Sequence, residues 1–179
     1  MEKQSNTKFA ILGLLTTGCR TGYSMKQMMD GSLNHFWKIS YGQIYPTLKS
    51  LLDEELITVQ KQSESGKPDK KEYELTQLGW DALKKWMETP VEEVALEKNE
   101  LLLKLFFSQH QSDEAVKKQL ESYLAKLLDR FKTYEAIEEM IVKTYGDQGD
   151  AKFWLMTLDY GKRTTKAAIE WAKDAKIKL

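Results

Sequence analysis

A short stretch of the chain carries side chains that suit hydrogen bonding to base edges and to phosphates: Tyr41, Gln43, Tyr45 and Lys49. A glutamine amide both donates and accepts, which matches the edge of an adenine. Hydroxyl and ammonium groups bind phosphate oxygens. Gly42 lies between the first two and would let the backbone come close to a ligand. The stretch is therefore a candidate surface for contact with nucleic acid.

A helix must hold these side chains, and its start is marked by Ser40. Ser40 and Gln43 have the spacing of a capping box, in which each side chain bonds the backbone of the other. Apolar residues then recur at helical spacing: Ile44, Leu48, Leu51 and Leu52. Pro46 removes one backbone hydrogen bond, so we expect an irregular first turn. Two alternatives stay open, because Gln43 could serve only as the cap partner and Tyr45 could pack against the hairpin predicted next.

The elements around this helix form a recognisable order. Two helices precede it. The first has apolar residues at 9–15 and ends at Gly18, and the second runs from Gly22 to before Gly31 with an apolar side of Tyr23, Met25, Met28 and Met29. Alternating residues at 57–59 and 73–75 predict two short strands around a polar turn with Lys67 and Lys70 at its tip. Thr76 then caps a fourth helix that runs to Met87, and its inward residues are predicted to be Leu78, Ala82, Leu83 and Trp86. Three helices and a hairpin are the order of a winged helix-turn-helix, whose third helix enters the major groove.

The distribution of charge favours the N-terminal end of the chain for binding nucleic acid. The net charge is zero over 27 basic and 27 acidic residues, but residues 1–49 hold six Lys or Arg against two acids, a balance of 6 − 2 = +4. Residues 91–179 hold fifteen against sixteen, a balance of 15 − 16 = −1. The N-terminal end is therefore the better surface for a polyanion.

The C-terminal half differs in kind. From Asp113, apolar residues repeat at three and four positions over about 30 residues, which gives a helix roughly 45 Å long. A small domain cannot cover such a face, so we expect a partner surface. A last helix follows from Asp150. Its aromatic residues and those of the long helix either pack as core or line a pocket for an aromatic small molecule: Tyr123, Phe131, Tyr134, Trp154 and Trp171.

Three segments resemble the PadR family of bacterial transcriptional regulators: TGYSM at 21–25, FWKISYGQIYPTL at 36–48 and KEYELTQLG at 71–79. The similarity covers residues 8–88 by motif. The rest of the chain resembles the longer PadR subfamily only in the layout of its helices. The tyrosine-proline pair inside the third helix belongs to this pattern, which accounts for Pro46.

This resemblance implies a mainly α protein with a small β-hairpin. A winged helix-turn-helix DNA-binding domain would occupy residues 1–90, and a helical dimerisation domain with a long-helix arm would occupy 91–179. The protein would be a cytoplasmic homodimer that represses a gene by binding double-stranded DNA at a two-fold operator, and a small-molecule effector could release it. DNA contacts carry over to eight residues: Ser40, Tyr41, Gly42, Gln43, Tyr45, Lys49, Lys67 and Lys70.

Other classes of protein fit poorly. The two histidines, His35 and His110, lie in different halves, and no phosphate loop, nucleophile motif or metal-ligand spacing occurs, so we expect neither an enzyme nor a metal or cofactor site. The lone Cys19 suits a reducing compartment. The apolar run at residues 9–15 is short for a signal peptide, and no stretch has the length of a membrane helix. The remaining alternative is a winged-helix adaptor that binds protein instead of DNA.

Overall fold

A computed structural model of the chain describes residues 6–31, 37, 39–61, 71–94 and 97–179. Contacts within the chain divide it into two units, Met1–Val94 and Ala95–Leu179. The first unit holds four helices and a two-stranded sheet, and the second holds three helices and one 3-10 turn among the described residues.

The first unit is built around one apolar cluster to which every element contributes. Its helices are α1 (Asn6–Thr16), α2 (Gly22–Gly31), α3 (Tyr41–Asp53) and α4 (Gln77–Glu88), and its strands are β1 (Ile57–Lys61) and β2 (Glu72–Leu75). Gly18 ends the first helical segment with φ of +85°, a left-handed conformation that glycine adopts without strain. The mainly α winged helix-turn-helix that the sequence predicts is confirmed.

The two strands form an antiparallel pair that begins with Ile57 opposite Leu75 and has an irregularity between Val59 and Lys61. The free edge of β2 is also used, because Tyr73 donates its N–H to the carbonyl of Arg20 at 2.8 Å. This hydrogen bond attaches β2 to the loop between α1 and α2, in addition to its pairing with β1. Burial raises the pKa of Tyr73.

Helix α4 is fixed at its first turn. Thr76 accepts a hydrogen bond from the N–H of Gly79 at 3.1 Å and donates its hydroxyl to the carbonyl of Glu55 at 2.7 Å. A Cβ on Gly79 would lie 2.1 Å from the carbonyl oxygen of Leu56, so only glycine permits this approach. Leu83 is buried as predicted, and Trp86 stacks on Phe9 although it is 39% exposed. Leu78 is exposed, so its predicted inward position is wrong. Tyr23, placed on the apolar side of α2, is also exposed.

The second unit consists of α5 (Glu100–Phe106), a 3-10 turn (Ser108–His110), α6 (Asp113–Tyr145) and α7 (Ala151–Ile177). The long helix has 33 residues, and its N-cap is Ser112, whose side chain accepts from the N–H of Ala115. Residues of α7 pack along α6 around Tyr134, and a second cluster joins α5 to α6 around Leu120. The expectation that the apolar face of α6 lacks cover within its own chain is therefore wrong, since α7 and α5 cover it.

Among the residues that the structure describes, no helix is both long enough and apolar enough to cross a membrane.

Candidate nucleic-acid interface

The core fixes which side of α3 faces outward. Ile44, Leu48 and Leu51 are buried in the first unit, which leaves the opposite side of the helix exposed. Tyr41 is 46% exposed, and Gly42, Gln43 and Lys49 are also exposed. Hydroxyl, amide and ammonium groups thus share the solvent side of one helix. Tyr41, Gly42 and Gln43 lie in its N-terminal turn, and Lys49 lies further along it.

Ser40 and Gln43 interact closely at the start of α3. The backbone N–H of Ser40 donates to Gln43 Oε1 at 3.0 Å, and Ser40 Oγ donates to the same oxygen at 3.2 Å. The amide oxygen of Gln43 is therefore engaged at the helix cap. Its Nε2 group is the part that can contact a ligand, as a donor to a base acceptor such as a purine N7. Pairing through both amide atoms with an adenine would require the oxygen to leave the cap.

Tyr45 has a second neighbour that the sequence pattern does not indicate. It is half-buried, and a Cβ on Gly22 would lie 2.9 Å from its Cε1 and 3.2 Å from its hydroxyl oxygen. The ring therefore rests on the first turn of α2. This contact fixes the spacing of α2 and α3, so Tyr45 supports the position of the candidate surface whether or not its hydroxyl reaches DNA.

Gly42 shows the opposite situation. The nearest atom to a Cβ built there is Ser40 Oγ at 3.7 Å, an ordinary contact distance. Nothing in the described part of the chain therefore requires a glycine at this position. The space beside the backbone is open on the exposed side of α3, where a ligand could approach it.

The two wing residues of the candidate site, Lys67 and Lys70, lie outside the described residues. The strands that flank them are described, and β1 and β2 place both ends of the turn in the first unit. The predicted role of these lysines in binding phosphate stays a prediction.

Comparisons with known proteins agree with this geometry. The family model described as "Transcriptional regulator PadR-like family" matches residues 11–85, and the model described as "Virulence activator alpha C-term" matches residues 97–179. The negative transcriptional regulator PadR of Bacillus subtilis is 37% identical over 136 residues, which cover 73% of this chain and 74% of that protein. The chain belongs to the PadR family of transcriptional regulators.

Solved structures of PadR-family proteins extend the similarity to both units. The crystal structure of Bacillus subtilis PadR in complex with operator DNA matches with a TM-score of 0.87 at 26% identity, over 99% of this chain and all of that one. The same protein in complex with p-coumaric acid matches with a TM-score of 0.79 at 27% identity, over 95% of this chain and 96% of that one. The Vibrio cholerae virulence activator AphA matches with a TM-score of 0.75 at 25% identity, over 97% of each chain. The family that the three sequence motifs indicate is confirmed.

In this PadR-family chain, the aromatic residues of the second unit lie in different surroundings. Tyr134 is buried with its ring 3.1 Å from the position of a Cβ on Gly161, and Trp154 meets Tyr145 edge to face at 5.6 Å between centroids. The hydroxyl of Tyr123 accepts from Asn99 Nδ2 at 3.0 Å. These contacts are packing and hydrogen bonding at helix junctions.

Trp171 differs from them because it lines an open groove of about 730 Å³ between α5, α6 and α7. Leu105, Val116 and Leu120 contribute apolar surface to the groove, and Glu170 and Asp174 contribute carboxylates. The described part of the second unit therefore offers a partly apolar groove that contains one of the five predicted pocket aromatics.

Proposed function

We propose that this PadR-family regulator is a cytoplasmic repressor that binds a two-fold operator in double-stranded DNA as a homodimer, without enzymatic activity. The exposed N-terminal turn of α3 carries this proposal, since Tyr41, Gly42 and Gln43 present a hydroxyl, an open backbone and an amide donor on one surface. The recognition helix of a helix-turn-helix places its N-terminal residues against base edges.

The contacts divide by chemistry. Gln43 is proposed to contact a base, with Ser40 holding its amide through the helix cap. Tyr41, Tyr45, Lys49 and the wing residues Lys67 and Lys70 are proposed to contact phosphates, which fixes the position of the helix without reading sequence.

The second unit is proposed as the dimerisation domain. Three large side chains of α7, Phe153, Met156 and Tyr160, are each more than half exposed. They recur at spacings of three and four residues, so they lie on one side of the helix. Burial of such a stripe against a second copy would remove apolar surface from water.

Selection of duplexes from a random pool, followed by fluorescence anisotropy on the selected and scrambled sequences, tests DNA binding. A dimer that neutralises 6 to 10 phosphates should lose affinity by about 10³- to 10⁵-fold between 50 and 200 mM salt. Absence of any selected sequence, together with binding that is indifferent to salt, would contradict the proposal and favour the protein-binding adaptor.

An effector is proposed by analogy with Bacillus subtilis PadR, whose structure contains p-coumaric acid. Addition of this phenolic acid to the DNA complex should lower the anisotropy as DNA is released, while benzyl alcohol serves as an uncharged aromatic control. If anisotropy does not change at millimolar phenolic acid, phenolic acids are not effectors of this protein. The proposal of DNA binding is then judged by the selection experiment alone.

A further inference from the structure

One ion pair lies beside the candidate nucleic-acid interface. Lys26 and Asp30 are one turn apart on α2, and the ammonium of Lys26 donates to the carboxylate of Asp30. The same ammonium lies 5.5 Å from the centre of the Tyr41 ring, a cation–π distance. Lys26 therefore connects α2 to the first residue of α3.

The position of Asp30 is unfavourable for a carboxylate in two respects. It occupies the last turn of α2, which ends at Gly31, and the negative end of the helix dipole disfavours an acidic side chain there. Its side chain is 49% exposed, next to a surface proposed to meet a polyanion. Helix stability therefore does not account for an acidic residue at this position.

Lys26 is in the right place to meet a phosphate. The first helix of a helix-turn-helix pair crosses the DNA backbone while the second enters the groove. Because Lys26 lies over the ring of Tyr41, it stands where α2 and the N-terminal turn of α3 adjoin. Its side chain is only 16% exposed in the ion pair, so Asp30 and Tyr41 occupy much of its surroundings in the DNA-free protein.

We infer that Asp30 is an electrostatic brake on DNA binding: it pairs with Lys26 in the free protein, and this ion pair must break before Lys26 can bind the DNA backbone. The inference rests on the proposed function. The exchange replaces one ion pair of Lys26 with another. A phosphate contact carries no sequence information, so the brake lowers affinity for every duplex and leaves discrimination to α3.

Asp30→Asn tests this inference by anisotropy on selected and scrambled duplexes across a salt series. The variant should bind both duplexes about 3- to 10-fold more tightly, because no ion pair must break before Lys26 contacts a phosphate. The slope of log affinity against log salt should stay nearly the same, because Lys26 contacts a phosphate in both proteins. Glu139→Gln removes an acid from an equivalent pair with Lys143 on α6, and it should change neither quantity.

The double variant Lys26→Met with Asp30→Asn separates exchange from simple repulsion. If Lys26 takes the phosphate, Asp30→Asn gains little affinity in the Lys26→Met background. An equal gain in both backgrounds would overturn the exchange, as would unchanged affinity of Asp30→Asn. Thermal unfolding of each variant identifies a loss of fold. If the wild-type chain selects no duplex, the proposed function and this inference both fail, whereas normal wild-type binding with an inert Asp30→Asn refutes the inference alone.

Discussion

The two units of the chain differ in how their apolar side chains are buried. In the first unit, all four helices and both strands contribute to one connected core. In the second unit, burial is divided between a cluster around Tyr134 and another around Leu120, both along α6. Large apolar side chains remain exposed on its two long helices: Leu128, Met140, Val142, Phe153, Met156 and Tyr160. The first unit also exposes large apolar side chains, but they lie mainly on α4: Leu78, Trp80 and Met87.

This difference assigns separate tasks to the two units. A unit with its own core can keep polar side chains on its outer helix face, as α3 does, without losing stability. A helical pair whose exposed side is rich in large apolar groups gains more from association. We therefore expect the first unit to carry recognition and the second to carry assembly, and the following changes test that division.

Removal of the second unit should have the largest effect. A fragment that ends at Thr89 should be monomeric by analytical ultracentrifugation, whereas the full chain should be a dimer. Loss of the second half-site contact should weaken binding to a selected operator by about 10²- to 10⁴-fold. Circular dichroism confirms that the fragment stays folded. A fragment that sediments as a stable dimer would place the interface in the first unit.

Replacement of Gln43 by Glu separates its two roles. The carboxylate still accepts from the Ser40 N–H, so the helix cap and the free energy of unfolding should be kept. The Nε2 donor is lost, which should cost about 1–3 kcal/mol of discrimination between selected and scrambled duplexes. The ratio of the two affinities is the measured quantity, because the added charge weakens both.

Lys67→Ala and Lys70→Ala provide the contrast to Gln43. Each should weaken both duplexes by the same factor and flatten the salt slope by up to about 0.9. Should Gln43→Glu keep full discrimination while the lysine variants alter it, the assignment of sequence reading to α3 is wrong.

The same substitution at two glycines of the first unit should affect two different properties, stability at Gly22 and DNA affinity at Gly42. Gly22→Ala places a methyl group against the Tyr45 ring and should lower the unfolding free energy by about 1–3 kcal/mol. Gly42→Ala meets only Ser40 Oγ at 3.7 Å, so stability should be unchanged or raised while DNA affinity falls. Urea unfolding and anisotropy on each variant measure the two effects. Equal losses of stability would show that Gly42 also has a packing role.

The smallest expected effect concerns the Lys8 and Glu54 pair between α1 and the end of α3. The hydrogen bond from Lys8 holds the pKa of Glu54 below its usual value, and the carboxylate is 42% exposed. Because the folded-state pKa is lowered, the contribution is present above the unfolded value and is lost as pH falls through the folded one. Glu54→Gln should therefore cost less than about 1 kcal/mol at pH 7, and the cost should shrink as the pH falls below the unfolded-state pKa in urea unfolding. A cost that does not change with pH would point to lost packing.

Periodicity and capping residues were sufficient to predict most local structure. The spacing of Ile44 and Leu48 gives the buried side of α3, and Ser40 and Thr76 are the predicted caps of α3 and α4 and cap them in the structure. The family motifs further indicate the winged helix-turn-helix. These features depend on residues close together in sequence, where propensity and hydrogen bonding decide the outcome.

Contacts between distant segments could not be predicted in the same way. The close approach of Gly79 to the Leu56 carbonyl and the exposure of Leu78 both depend on how α4 packs in the first unit. The cover of α6 by α7 depends on the antiparallel pairing of two helices, and periodicity states only that a face needs cover. Likewise, Lys26 contributed to a charge sum in the sequence, and only its position over Tyr41 connects it to the candidate site.

Footprinting of the whole chain on a duplex that it has selected tests whether a dimer reads DNA through α3. We expect two protected half-sites related by a two-fold axis, with centres about 34–36 Å apart or a multiple of that distance, and protected bases in the major groove of each. Protection should disappear at high salt. A single isolated half-site protected by the full chain, or protection without two-fold symmetry, would contradict a dimer that reads DNA through α3.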